Sequence, residues 1–245
     1  MAVYSEVIGT QRQSKLPERM FYTSMAVVIA IVIFVGFSRT FYLRPYFHPE
    51  SLIPLLILHG VVFSSWIILF ITQTSLVAAR RTKTHMRLGV FGGVIASLMI
   101  IIGTITAIVR AKGPSPIPGV NPLSFLTIPL GDMLVFGILV GLAFYFRRKL
   151  DTHKRLMLLA SIALLAAAVA RWPIGFIERG GPLVFYGLAD LFIVPCLIFD
   201  IVTRGRPHRA TVLGGALIVI SHPLRLVIGG THAWLVFATW LTHWT

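Results

Sequence analysis

Seven apolar runs, each close to the ~20 residues needed to cross a ~30 Å hydrocarbon layer, dominate this sequence. They are Phe21–Ser38, Leu52–Val77, Leu88–Val109, Ser124–Phe146, Leu156–Arg171, Leu183–Val202 and Ala210–Ile228. A backbone in lipid has to satisfy its own polar groups, so runs of this length read as helices. The expected fold is an all-α integral membrane protein of about seven transmembrane helices. A last apolar stretch, Thr231–Trp240, is too short to span. It either lies at the interface or extends the seventh helix past Pro223.

Composition supports that frame. Hydrophobic residues make up 56% of the chain and charged ones 12%, about half the charged share of a soluble domain. A soluble globular enzyme and a disordered chain are both excluded. The single cysteine, Cys196, excludes a disulfide framework and a cysteine-cluster metal site. The net charge of +14 does not point to nucleic acid, because the basic residues sit in short loops between apolar runs. There they set orientation and attract anionic lipid at the inner face. Placing the N-terminus inside puts fifteen Lys and Arg on the inner side, in the N-terminal segment and the runs at Arg80–Arg87, Arg147–Arg155 and Arg204–Arg209. Seven fall outside, so the N-terminus is expected in and the C-terminus out. Residues 1–20 read as a cytoplasmic segment carrying Arg12, Lys15 and Arg19. Residues 21–245 read as one helical membrane domain, its first helix an uncleaved signal anchor.

Two segments echo each other. Arg80-Arg81 is followed by Thr84-His85-Met86-Arg87-Leu88, and Arg147-Arg148 by Thr152-His153-Lys154-Arg155-Leu156. The second-third and fourth-fifth helices are either two copies of one hairpin or convergent interfacial caps. Small residues at four-residue spacing mark candidate packing faces. These are Gly89, Gly93 and Ser97 in the third helix, Gly137 and Gly141 in the fourth, and alanines from Ala160 to Ala170 in the fifth.

Several ionisable residues fall inside the runs: His59, Asp132, Asp190, His222 and Arg225, with Arg171 at the end of the fifth. Each costs ~2.5–3.5 kcal/mol to insert, so each should face the bundle and have a partner. At ~1.5 Å per residue, all of them come out within one slab of the outer half. His59, Trp66 and Gln73 also share a face of the second helix, seven residues apart.

Four readings follow from these residues. In a structural reading, Asp190 pairs with Arg225 and Asp132 with Arg171 as an ion-pair core, and the protein is a structural or assembly subunit with a membrane-protein partner. In a redox reading, His59 and His222 ligate haem b axially while Arg171 and Arg225 hold propionates. That reading allows a second, inner site at His85 and His153. In a hydrolytic reading, His59, Asp132, Asp190 and His222 hold Zn²⁺. This is similar in outline to seven-helix hydrolases of the adiponectin-receptor and ceramidase type, but no His lies four residues after His222. In a proton-transfer reading, His59, Asp132 and Asp190 relay protons, with Pro195 and Pro223 breaking helices at the site. Few polar residues continue inward apart from Asp200 and Gln73.

The segments LHGVVFSSW (Leu58–Trp66), THMRLG (Thr84–Gly89) and THKRLMLLAS (Thr152–Ser161) resemble a family of uncharacterised bacterial multi-pass membrane proteins. The resemblance covers roughly the second to fifth helices and implies a bacterial inner-membrane location. The inner-end His followed by Arg-Leu is also faintly similar to b-type cytochrome membrane domains. That likeness implies haem at His85 and His153 and makes redox or haem binding the leading expectation among activities.

Overall fold

The computed structural model describes residues 16–243, apart from Pro49 and Pro118. Arg12, Lys15 and most of the N-terminal segment therefore lie outside the described residues. Within them, seven helices are long and apolar enough to span a membrane, and no strand occurs. The spans are α1 Leu16–Tyr42, α2 Pro54–Ala78, α3 Thr82–Arg110, α4 Pro122–Tyr145, α5 Leu150–Val169, α6 Arg179–Arg204 and α7 Arg209–Gly229. A short α8, His232–His243, follows.

Most helices that begin at the basic face start earlier than the apolar runs do, at Leu16, Thr82 and Leu150. The first two turns of α3 and α5 carry Lys83, Arg87 and Lys154, basic residues that the apolar runs leave out although the backbone there is already helical. The fifth helix ends at Val169, two residues before Arg171. Pro223 does not stop α7, which runs on to Gly229. Thr231–Trp240 is mostly a separate helix, capped where Thr231 Oγ1 accepts the Trp234 N–H at 3.2 Å. Between α5 and the body of α6 the chain is helical from Gly175 on, kinked at Gly181, whose φ of 63° is open to glycine.

The antiparallel pair α4–α5 forms the centre, and these are the most buried spans. On one side α1 packs on α5 and α2, and α2 and α3 continue the layer round to α4. On the other, α7 packs on α4 and α5, with α6 beside it. The alanine-rich face of α5 allows close approach: Ala160, Ala163, Ala166 and Ala168 are buried. The tightest helix contact there is with α1, where a Cβ on Gly36 would overlap the backbone of Ala168. Of the other expected small-residue faces, Gly93 meets Phe144, but Ser97 is exposed and Gly141 has nothing near it. Large apolar residues such as Phe34, Phe91, Leu134 and Leu213 cover the outside of the bundle, as a lipid-facing surface requires.

Candidate functional site

The buried centre lies between α4, α6 and α7, away from the basic face. Ser221 and Arg225 are four residues apart on α7 and share a face, with His222 one step round. Arg225 Nη1 donates to Asp132 Oδ1 at 2.5 Å, and Nη2 donates to Ser221 Oγ at 3.0 Å. The guanidinium fits because residue 131 is glycine: a Cβ there would collide with the Arg225 side chain. His222 Nδ1 lies 3.2 Å from Asp190 Oδ2. An ionised carboxylate only accepts, so Nδ1 carries the proton and Nε2 is left with a lone pair. Tyr186, one turn before Asp190, stacks on the His222 ring at 3.9 Å and 13°. The Arg225 guanidinium carbon is 5.9 Å from the same Tyr186 ring.

The expected pairings are therefore exchanged. Arg225 takes Asp132 rather than Asp190, because α7 packs on α4 with Gly131 making room. Asp190 takes His222 instead. Arg171 does not pair with Asp132: it lies beyond the end of α5, donates to Ala167 O at 2.5 Å and covers the Phe37 ring at 4.7 Å.

The centre is only half satisfied. Tyr186 Oη, Asp190 Oδ1, His222 Nε2 and Arg225 Nε are all buried with no hydrogen-bond partner among the described residues. Each such group costs roughly 1–3 kcal/mol. Two of them donate and two accept, the complement of a small guest that does both.

His59 stands apart from this group. It is half-buried, with its ring stacked on Phe63 at 4.1 Å. Its helix, α2, packs mainly on α1 and α3, whereas α7 packs on α4, α5 and α6. His59 and His222 thus sit on helices that do not pack mainly on each other. No group of three or more His, Cys, Asp or Glu able to hold a metal ion occurs among the described residues. The expected zinc set is split between the Asp132–Arg225 ion pair, the Asp190–His222 bond and His59, which stacks on Phe63. Of the helix-two stripe, Trp66 forms a seam to α5, its Nε1 donating to Ser161 Oγ at 3.2 Å.

His85 and His153, by contrast, both lie at the basic face. His85 lies against the Gln73 backbone and within electrostatic reach of His153. His153 Nδ1 is 2.8 Å from Ala143 O.

A second buried network was not foreseen. Asp200 on α6 accepts Arg155 Nε at 2.8 Å, with Nη2 also bonded to it. Its other oxygen accepts Thr211 Oγ1 at 2.5 Å and the His208 N–H at 3.1 Å. In the sequence Arg155 reads as part of a basic loop, and Tyr186 and Thr211 carry no mark of their own. The available signal was spacing: Tyr186 is one turn from Asp190, and Asp151 one turn from Arg155. Around this hub, Asp151 takes Arg204 Nη1 at 3.2 Å and the Lys154 ammonium, which also bonds Glu18. The network ties α1, α5, α6 and α7 together at the basic face.

No family model, curated protein or solved structure matches this chain.

Proposed function

We propose that the protein is a proton-coupled membrane carrier whose binding centre is Asp132, Tyr186, Asp190, His222 and Arg225. The observation that carries this reading is the set of four unpartnered polar atoms gathered on a His–carboxylate pair at a helix break. An inert ion-pair core has no reason to leave half its hydrogen-bonding capacity unused at that cost. The break supports transport specifically. Directly after Asp190, α6 passes through a 3₁₀ turn, Leu191–Ile193, before the Pro195 segment. Interrupted helices at a buried polar site are characteristic of carriers. A proton on the Asp190–His222 pair changes the charge facing Arg225 and Tyr186, and so the centre's preference for a polar guest.

Ten residues of α6, about 15 Å, separate Asp190 from Asp200. Ile193 and Cys196 lie buried between them. The Asp200–Arg155 network is then the closed inner gate of a carrier. Positive charge supports a cytoplasmic position for that basic face, and the resemblance of α2 to α5 to bacterial multi-pass proteins supports a bacterial inner membrane.

The test needs no knowledge of the substrate. Vesicles containing the protein are adsorbed to a solid-supported electrode and given a pH step. The expected result is a transient charge displacement, reduced at least tenfold in D190N and H222Q and retained in H232Q. A wild-type trace equal to that of protein-free vesicles would overturn the reading.

A further inference from the structure

The two echoing motifs bring one histidine each to the basic face, His85 against Gln73 of α2 and within electrostatic reach of His153. Each of the three side chains carries an electron-pair donor. A carbonyl oxygen can only accept, so His153 Nδ1 donates to Ala143 O and its Nε2 keeps the lone pair. A histidine held this way by a backbone carbonyl is oriented as a metal ligand is. His85 Nδ1 and Gln73 Oε1 are buried with no hydrogen-bond partner among the described residues. The Gln73 amide also lies against α3, its Nε2 3.8 Å from where a Cβ on Gly89 would stand, one turn beyond His85.

We propose that His85, His153 and Gln73 bind a late first-row divalent transition ion such as Zn²⁺ or Cu²⁺. Imidazole nitrogens with one amide oxygen suit those ions better than Mg²⁺ or Ca²⁺, which take oxygen donors. A bare ion fits where a macrocycle does not: one turn deeper, Phe144 closes the space, 3.6 Å from a Cβ built on Gly93. The site lies at the opposite end of the bundle from the Asp190–His222 centre and stands independently of the carrier reading.

The experiment is a Zn²⁺ titration of the full chain in nanodiscs, read by isothermal calorimetry. The wild-type protein should take up one ion per chain. H85N and H153N should each weaken binding at least tenfold, with a smaller loss in Q73L and none in H232N. Cu²⁺ loaded into the wild-type chain gives a check that needs no variant: its electron paramagnetic resonance spectrum should show coupling to imidazole nitrogen. No Zn²⁺ uptake, uptake unchanged in the H85N/H153N double variant, or a copper signal without nitrogen coupling would overturn the proposal. So would a haem Soret band in the purified protein that disappears in H85N and H153N.

Discussion

Arg225 and Asp132 face each other across the α4–α7 interface, with Nη1 2.5 Å from Oδ1 and both side chains buried. Neither helix reveals the pair on its own: it depends on α7 packing onto α4 where Gly131 leaves room for the guanidinium. The consequence for stability is asymmetric. Arg225→Met strands a buried carboxylate and should cost about 3–5 kcal/mol. The double variant D132L/R225M removes both charges and should recover most of that loss. Unfolding in mixed micelles measures both, and the charge displacement should remain absent in the double variant despite its recovered stability.

Tyr186 separates packing from binding. Its ring stacks on His222, while its hydroxyl has no partner among the described residues. Y186F keeps the stack and removes only the hydroxyl, so Tm should hold or rise slightly. If the hydroxyl contacts a guest, the charge displacement should fall severalfold. An unchanged displacement would remove Tyr186 from the centre.

The spans and the slab of charged residues were legible because both follow from one-dimensional patterns: apolar run length, and depth at a fixed rise per residue. The pairings were not. Depth places Asp132, Asp190, His222 and Arg225 at one level, but it does not say which helices adjoin. The choice of Asp132 for Arg225 follows from the order of helices around α4–α5, a tertiary property. His59 illustrates the same limit, because the depth estimate groups it with them although its helix packs mainly on α1 and α3. The Asp200–Arg155 network was missed for a different reason. Arg155 sits in a basic run that reads as loop, whereas α5 begins at Leu150 and turns this one arginine inward.

At the basic face, Asp200 holds Arg155, Thr211 and the His208 N–H. T211V removes one hydroxyl donor to a buried carboxylate and should cost about 1.5–3 kcal/mol. D200L strands the Arg155 guanidinium and should cost roughly 3–5 kcal/mol. If this network is a gate, T211V should also speed exchange at the centre. Hydrogen exchange at the start of α7 reads that opening.

The closest approach of α1 to α5 is through Gly36, where a Cβ would overlap the Ala168 backbone. G36A should cost about 1–3 kcal/mol as an overpacked contact, and G36V more. Thermal unfolding gives the ranking. A neutral G36V would show that α1 is free to move away from α5.

His208 caps α7 with a ring nitrogen, Nδ1 accepting the Ala210 N–H at 3.0 Å. Burial, followed by the neighbouring Arg155 and Arg204, pushes its imidazole below the usual histidine range. A lowered folded value means that the neutral ring stabilises the fold. That contribution is complete above about pH 6.5, the unfolded value, and is lost as pH falls through the folded one. Stability should therefore drop on acidification. H208N keeps an N-cap acceptor without titrating, and should flatten this part of the pH profile. An unchanged slope in H208N would assign the dependence elsewhere.

The central claim is that the half-satisfied centre between α4, α6 and α7 exists to hold a guest. A high-resolution electron cryomicroscopy map of the protein in nanodiscs tests this most directly. The expected result is ordered density bridging at least three of Tyr186 Oη, Asp190 Oδ1, His222 Nε2 and Arg225 Nε. A dry centre in which those four atoms pair with one another would contradict the account and leave an ion-pair core.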